Sequence, residues 1–300
     1  MRDGRTRRLR RFAGVALAAA CLVLVAARAP VTWYDGRSGD RVTGGSGARD
    51  RSADAAEATA LPPVLAGHVP TEPLRGTPFT GSMPQVGALF SLDGEGRPDG
   101  HFCTASVVDS PHGDLIATAA HCVIDPGSGR ATQPFVFAPG YHDGRFPFGT
   151  WSSSRVVVAA QWSDGGDPDD DVAFVVLRPN AAHETVQGAV GSDRIAFGEE
   201  SAEPGLVGAV GYPGAGQKPI GCLNTVKPYN PDQSEFDCAG YQDGSSGGPL
   251  LHAIDPATGE GTLVGVIGGY EEGGDTPDVS YAAHFTDGIR ALYRKAAASG

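Results

Sequence analysis

The chain has 300 residues, among them 44 glycines and 23 prolines, and its formal net charge at pH 7 is −12. Because binding to phosphate groups needs a basic face, this acidic balance argues against nucleic acid as a partner. The many glycines and prolines suit a fold with numerous tight turns better than a bundle of helices.

Residues 1–27 have the pattern of a secretory signal peptide. Six arginines stand within the first eleven residues, and an uncharged, apolar run follows at residues 12–27. We expect cleavage after Ala27 and a secreted, extracellular product. Two alternatives stay open. The apolar run is kept as a membrane anchor, although it falls short of the roughly 17 residues that a spanning helix needs, or a lipid is attached at Cys21.

Residues 28–78 are predicted to be a flexible linker or propeptide, because they are rich in Gly, Ala, Pro, Asp and Arg and lack a period of 2 or 3.6 residues. The peptide chain from 79 to 300 is then the folded domain. Short apolar runs between turn residues predict strands there, which makes the fold all-β. The predicted strands are residues 86–92, 102–108, 115–119, 135–137, 156–160, 172–177, 206–211 and 263–267.

One helix is predicted at the C-terminus. Thr286 or Asp287 can cap its first turn, and the basic residues Arg294 and Lys295 lie near its end, where they suit the helix dipole. We found no internal repeat of a length that would indicate a solenoid. The sequence therefore predicts a β-sandwich or β-barrel that ends in a single helix.

Four cysteines remain if Cys21 leaves with the signal peptide, and in an exported protein they indicate disulfides. They are Cys103, Cys122, Cys222 and Cys238. Four cysteines allow three pairings, of which the local choice joins the first two and the last two. The sequence holds no CxxC pair, so we predict neither a metal site nor a cofactor.

The segment Gly244-Ser245-Ser246-Gly247-Gly248-Pro249 predicts a nucleophilic serine on a tight turn. Its glycines would let backbone N–H groups approach a substrate carbonyl without obstruction by a Cβ atom. Ser246 is the predicted nucleophile, and the N–H groups of Gly244 and Ser246 are the predicted oxyanion hole. Glycine and serine also make ordinary loops, so this interpretation depends on partners elsewhere in the chain.

Two upstream segments supply such partners. Residues 116–122 form a run of small and apolar residues that carries His121 near its end, and an imidazole can take the serine proton at neutral pH. Asp171 directly precedes the apolar run 172–177, where a carboxylate can orient that imidazole. The competitors for this role are Asp167, Asp169 and Asp170. Their loop can also be read as a solvated turn, or as a calcium site without EF-hand spacing.

Three segments resemble, in this order, the signature segments of the trypsin-like (chymotrypsin-family) serine peptidases. They are Thr118-Ala119-Ala120-His121-Cys122, Asp171-Val172-Ala173 and Gly244-Ser245-Ser246-Gly247-Gly248-Pro249. The resemblance implies a chymotrypsin-like fold with two six-stranded antiparallel β-barrels, the triad in the cleft between them, and a Cys103–Cys122 disulfide beside the histidine. It also implies hydrolysis of peptide bonds through an acyl-enzyme intermediate. Gly211-Tyr212-Pro213 and the propeptide-like leader are similar, more loosely, to the bacterial V8-like glutamyl endopeptidases.

The sequence departs from the trypsin-like pattern at two positions. Ser245 stands where those enzymes carry the aspartate that pairs with a newly freed N-terminus, so activation through that ion pair is not expected. Gln242 stands where they carry a cysteine, which shifts the register of the substrate pocket. The residues that we expect in this pocket are Gly240, Gly268, Gly269 and Tyr270.

Two other functions stay open at this point. Residues 244–248 also satisfy the G-x-S-x-G pattern of α/β-hydrolase esterases, but that fold needs its acid and its histidine after the serine, where Asp278 and His284 would have to serve. A protease-like binding module without activity is the second alternative, if the change at Ser245 lets the oxyanion loop collapse. The preferred prediction is a secreted, monomeric serine endopeptidase that acts on protein or peptide substrates.

Overall fold

The computed structural model describes Leu61, Leu65 and residues 74–202, 205–214 and 216–300. All of these residues belong to one compact unit, residues 49–300. The predicted signal peptide, Cys21 and most of the predicted linker lie outside the described residues. Within the described part, no helix has the length and apolar character needed to cross a membrane.

Nine strands make up the N-terminal half, and six of them close into an antiparallel barrel. The strands are β1 (Thr77–Pro78), β2 (Val86–Leu92), β3 (Pro98–Val107), β4 (Leu115–Thr118), β5 (Ile124–Asp125), β6 (Arg130–Ala131), β7 (Phe135–Pro139), β8 (Trp151–Val158) and β9 (Ala173–Leu177). The strand order around the barrel is β2-β3-β4-β9-β8-β7.

Strand β9 shows why this barrel packs on both of its faces. All five of its residues are buried. Ala173 and Val175 belong to the hydrophobic cluster that also contains Leu89 and Trp151, whereas Phe174 lies in a second cluster on the opposite face. Successive side chains of a strand point to opposite faces. A continuous apolar run therefore fits a strand that is covered on both sides.

Eight strands make up the C-terminal half. They are β10 (Arg194–Ile195), β11 (Leu206–Gly211), β12 (Ile220–Thr225), β13 (Lys227–Asn230), β14 (Gln233–Asp237), β15 (Pro249–His252), β16 (Thr262–Val266) and β17 (Val279–Ala283). Together with β1, they form a six-stranded sheet, β1-β12-β11-β15-β16-β10, and a three-stranded sheet, β13-β14-β17. The all-β prediction is confirmed. This arrangement fits the second predicted barrel, whose closure stays a prediction.

The end of the predicted linker packs on the C-terminal half. Gly76 N–H donates to Ala239 O at 2.7 Å, and Ala239 N–H donates to Leu74 O at 2.9 Å. Strand β1 pairs with β12, and the buried Leu65 belongs to a core cluster. The packed body thus includes residues N-terminal to position 79. Where the chain is processed stays a prediction.

Four α-helices occur in the described residues: α1 (Ala160–Gly165), α2 (Val186–Val190), α3 (Glu199–Ala202) and α4 (Asp287–Ala297). Helix α4 is the predicted C-terminal helix, and the Thr286 side chain caps it by accepting a hydrogen bond from Ile289 N–H. Its apolar face joins the core cluster that contains Phe174, and the rings of Phe174 and Tyr293 meet edge to face at 5.6 Å.

Each predicted strand overlaps an observed strand, but several ends differ, and one predicted end runs into a helix. The sequence places residues 159 and 160 in a strand, whereas α1 begins at Ala160. The chain leaves the strand direction here because the buried Trp162 anchors helix α1. Its indole N–H donates to Ile124 O at 3.1 Å.

Candidate active site

His121 follows strand β4 and Asp171 precedes strand β9, and the pairing of these strands brings the two side chains together. His121 Nδ1 lies 2.7 Å from Asp171 Oδ2, and His121 N–H donates to Asp171 Oδ1 at 2.8 Å. Asp171 is fully buried, and its Oδ2 also accepts Gly269 N–H at 2.9 Å. The carboxylate therefore holds the imidazole ring with Nδ1 directed at Asp171.

Opposing effects determine the pKa of His121. Burial lowers this pKa, but the charge of Asp171 and its hydrogen bond raise it, and the charge of Glu272 raises it further. The net result is a pKa of His121 above its usual value. Stabilisation of the imidazolium form is what a general base needs while it holds a proton between two steps.

Ser246 lies on the turn before strand β15 and is partly buried. The turn is held from two sides, because Thr104 N–H donates to Ser246 O at 2.8 Å and Gly247 N–H donates to Ile267 O at 2.7 Å. These backbone bonds fix the position of the serine independently of its side chain.

The turn also lies close to the segment that carries His121. A Cβ atom on Gly247 would collide with Thr118 Oγ1 and would lie 2.9 Å from Ala119 N. Only glycine permits this approach. In the described residues no hydrogen bond joins Ser246 Oγ to the His121 ring. Such bonds often form only when substrate is bound.

Two backbone N–H groups on the turn that carries Ser246 have no acceptor among the described residues. Neither Gly244 N–H nor Ser246 N–H donates to an acceptor within the described part of the chain. Gly244 has a φ of 93°, and a Cβ atom there would lie 2.7 Å from Tyr212 O, so glycine is required. Free N–H groups on neighbouring residues can stabilise an oxyanion.

The predicted pocket residues lie on two segments. Gly268 and Gly269 follow strand β16 and lie against the Asp171 carboxylate, where a Cβ atom on Gly268 would be 2.9 Å from Asp171 Oδ2. Tyr270 N–H donates to Gln233 Oε1 at 2.7 Å. Gly240 lies on the other segment, beside the residues that line a cavity.

That cavity has a volume of about 620 Å³ and borders the segment before Gly244. Its lining residues are Gly214, Tyr241, Gln242, Asp243, Gly274, Asp275, Thr276 and Pro277. None of the four predicted pocket residues lines it, so the pocket assignment stays a prediction. The exposed Asp243 and Asp275 escaped the sequence analysis because no local pattern shows that their loops meet.

A strained turn adjoins the predicted pocket. Glu271 and Glu272 have φ values of 51° and 54°, within the turn Tyr270–Gly273. Side chains other than glycine rarely adopt such angles, and strain of this kind is concentrated at functional sites. The charge of Glu272, like that of Asp171, also raises the pKa of His121. The sequence gives no signal for this strain, because glutamate normally avoids the conformation.

The four predicted cysteines form two disulfides, Cys103–Cys122 and Cys222–Cys238. The first of them braces the segment that carries His121. Its two sulfurs and His121 lie within 4.8 Å of one another, a spacing that resembles a metal site. Because both sulfurs are bonded to each other, they offer no thiolate ligand to a metal.

Several residues that competed for the triad are engaged elsewhere. Asp167 Oδ1 accepts Asp169 N–H at 3.1 Å, and Asp169 Oδ1 accepts Gln233 Nε2–H at 2.6 Å. His284, which the esterase alternative would use, has its Nε2 at 2.9 Å from Ser234 Oγ. The α/β-hydrolase alternative is wrong, since the described strands pair antiparallel except for the short parallel pair β10–β16, and the helices are few and short.

Comparisons with known proteins bear on the same region. Residues 103–266 match the family described as trypsin-like peptidase domain. The structure resembles a thermostable serine protease, AL20, from an extremophilic microorganism, with 30% identity, a TM-score of 0.62, and coverage of 73% of this chain and 99% of that chain. No curated protein sequence matches the chain.

Two further solved structures are similar. For the protease Anisep from Arthrobacter nicotinovorans, the identity is 27%, the TM-score is 0.61, and 75% of this chain and 99% of that chain are covered. For a Glu endopeptidase in complex with MPD, the identity is 16%, the TM-score is 0.59, and 79% of this chain and 100% of that chain are covered. At 16% identity, this last likeness concerns the fold alone.

Proposed function

Because the chain belongs to the trypsin-like peptidase family and is a serine endopeptidase, we propose that His121, Asp171 and Ser246 are its catalytic triad. The chymotrypsin-like fold class, predicted from the sequence, is confirmed by the same comparisons. The observation that carries the proposal is the 2.7 Å contact between His121 Nδ1 and Asp171 Oδ2, next to the turn that holds Ser246.

In the proposed reaction, Ser246 Oγ attacks the carbonyl carbon of a peptide bond while His121 Nε2 accepts the hydroxyl proton. Asp171 holds the Nδ1–H of the ring and stabilises the imidazolium. The N–H groups of Gly244 and Ser246 stabilise the negative charge that develops on the carbonyl oxygen. His121 then gives its proton to the leaving amine, and an acyl-enzyme remains on Ser246.

In the second half of the reaction, a water molecule replaces the leaving amine. His121 takes a proton from this water, which attacks the acyl carbon, and the same proton returns to Ser246 Oγ as the product acid leaves. Protein or peptide substrates follow from the family. We place the substrate side chain among Gly240, Gly268, Gly269 and Tyr270.

The location and processing of the enzyme belong to the same proposal. Removal of residues 1–27 would release a secreted, extracellular monomer, with residues 28–78 as its linker or propeptide and residues 79–300 as the peptidase domain. The two disulfides support an oxidising compartment. Retention of residues 12–27 as a membrane anchor is the alternative, and N-terminal sequencing of the exported protein distinguishes the two.

The triad can be tested by combining substitutions. Ser246→Ala and His121→Ala should each lower kcat on a peptide substrate by about 10⁶-fold, and the double variant should lose little more, because the two groups act as a unit. Asp171→Asn should lower kcat by about 10⁴-fold, because it favours the wrong imidazole tautomer. Steady-state kinetics on the exported protein measure all four variants.

Labelling provides an independent control. An organophosphonate should label the wild-type protein at Ser246 with one equivalent and should leave Ser246→Ala unlabelled, as mass spectrometry of the intact protein can show. Near wild-type turnover in Asp171→Asn would move the acid role to a neighbouring aspartate. Absence of labelling in the active wild-type enzyme would refute Ser246 as the nucleophile.

A further inference from the structure

Thr104, on strand β3, connects the first barrel to the turn that carries the nucleophile. It is fully buried and takes part in four hydrogen bonds. Its N–H donates to Ser246 O at 2.8 Å, and its carbonyl accepts Thr118 Oγ1–H at 2.7 Å. Its hydroxyl donates to Gly244 O at 2.8 Å and accepts Tyr212 N–H at 2.8 Å. The hydroxyl thus uses its donor hydrogen and one of its two lone pairs.

The peptide unit before Gly244 is held by one hydrogen bond and the unit after it by two. Asp243 O accepts Gly214 N–H at 2.6 Å, which turns the N–H of the same planar unit, Gly244 N–H, to the opposite side. In the next unit, Gly244 O accepts the Thr104 hydroxyl, and Ser245 N–H donates to Gln242 O at 2.9 Å. Glycine has wide backbone freedom. The direction of Gly244 N–H therefore depends on these three bonds, of which only the one from Thr104 comes from a side chain.

The side chain of Ser245 gives the segment no polar anchor. Ser245 is 1% exposed, and its Oγ has no hydrogen-bond partner in the described part of the chain. Its Cβ packs against Gly211, where an added Cβ atom would lie 2.9 Å away, so the space is already filled. Among the described residues, the side chain that hydrogen-bonds to residues 244–246 is Thr104, through its hydroxyl.

We propose that Thr104 is a positioning residue, whose hydroxyl holds the Gly244–Ser246 segment in the orientation that stabilises the oxyanion. This inference rests on the proposed function, since it assigns a task to a residue that supports the same site. Thr104 touches no reacting atom. It acts through the direction of Gly244 N–H.

The direct test is Thr104→Val, which replaces the hydroxyl by a methyl group. For a peptide amide substrate, kcat should fall at least about 10-fold, up to the 10²–10³-fold range known for loss of one oxyanion donor, while KM changes by less than about threefold. Thr104→Ser, which keeps the hydroxyl, should restore kcat to within about threefold of wild type. A peptidyl trifluoromethyl ketone should lose affinity in parallel with kcat/KM, because its oxyanion occupies the same N–H groups.

Ser201→Ala is a matched control for the loss of a buried hydroxyl. Ser201 is 2% exposed, and its hydroxyl donates to Val264 O at 2.6 Å and accepts Phe285 N–H at 2.8 Å. Like Thr104→Val, this variant loses one bond to a backbone carbonyl and one from a backbone N–H, but at a site whose hydrogen-bond partners lie outside the Ser246 turn. Its Tm should fall while its kcat stays at the wild-type value, which separates a change in stability from a change in positioning.

The outcomes separate this inference from the proposed function. If phosphonate fails to label active wild-type enzyme at Ser246, the proposed function is wrong. If wild type is labelled but Thr104→Val keeps full kcat, or Thr104→Ser fails to rescue, the role of Thr104 is overturned. Should Thr104→Val not fold, Thr104→Ala places no methyl group against Gly244 O, and the same loss and rescue are expected with it. Full kcat in Thr104→Ala would also overturn the role.

Discussion

At the scale of single residues, the Asp171 carboxylate orients the His121 imidazole and raises its pKa. Its two oxygens receive three hydrogen bonds, from His121 N–H, the His121 ring and Gly269 N–H. A fully buried carboxylate is costly unless it is well hydrogen-bonded. Here the backbone N–H groups of His121 and Gly269 offset that cost, while Oδ2 still binds the His121 ring.

The pH dependence of catalysis follows from this arrangement. Only the neutral imidazole accepts the serine proton, so kcat/KM should rise with pH through the pKa of His121. The negative charge of Glu272 raises that pKa. Glu272→Gln should therefore shift the acid limb of the kcat/KM profile to lower pH, as measured with a neutral peptide substrate. Glu271→Gln changes the same charge on the neighbouring residue and is the control. An equal shift in both variants, or a shift to higher pH, would contradict this assignment.

The sequence reveals the triad candidates because each stands in a short local pattern: a strand end, the start of an apolar run and a glycine-rich turn. Thr104 carries no such pattern. Its proposed role arises from a hydrogen bond to a backbone atom, Gly244 O, which lies 140 positions away in the chain. Gln233, which binds Asp169 across 64 positions and also receives Tyr270 N–H, escapes prediction for the same reason. Side-chain to backbone contacts between distant segments leave no trace in local composition.

At the scale of elements, a strand can be predicted from the sequence where a long, continuous apolar run forms it. Strand β9 is an uninterrupted buried run, and it was predicted nearly to its ends. Strand β13 exposes all four of its residues and contains Pro228, so it shows neither an apolar run nor alternation. It forms because β14 supplies hydrogen-bond partners. Strands that depend on their neighbours in this way could not be predicted from pattern alone.

Helix α4 provides a test of packing at this scale. Ile289 is fully buried, in a core cluster with Phe174 and Leu292. Ile289→Ala should lower the free energy of unfolding by about 2–5 kcal/mol, because it removes buried methyl groups and leaves a cavity. Urea denaturation in a Ser246→Ala background, which prevents self-digestion, measures the loss. Lys295→Ala, on the exposed side, should change stability by less than about 0.5 kcal/mol. Similar losses in both variants would show that α4 is not anchored through Ile289.

At the scale of the whole molecule, Asp193 lies on the connection between the two halves. Its N–H donates to Val107 O, and its carbonyl accepts Asp109 N–H, both at 2.9 Å. Its Oδ1 accepts Gly261 N–H at 2.8 Å and Gln85 Nε2–H at 3.1 Å. In the described part of the chain, Oδ2 is buried without a hydrogen-bond partner. One carboxyl group thus joins both halves while one of its oxygens stays unsatisfied.

Burial raises the pKa of Asp193 to about 7, and the charge of Glu260 adds to this effect, against the hydrogen bonds from Gly261 N–H and Gln85. In the unfolded chain, the pKa of an aspartate is about 3.9. The folded state therefore binds this proton more tightly than the unfolded state does. The resulting stabilisation is fully present below about pH 4 and is lost as the pH rises towards about 7.

Asp193→Asn tests this linkage, because it removes the charge while the side-chain oxygen can still accept Gly261 N–H. In a Ser246→Ala background, the free energy of unfolding of Asp193→Asn relative to its parent should increase from pH 4.5 to pH 8, by about 4 kcal/mol at most. Urea denaturation at both pH values measures the difference. Asp99→Asn, at an exposed position, should show no such increase. A relative stability of Asp193→Asn that does not change with pH would contradict this assignment. It would mean that Asp193 is ionised in the folded enzyme throughout this range.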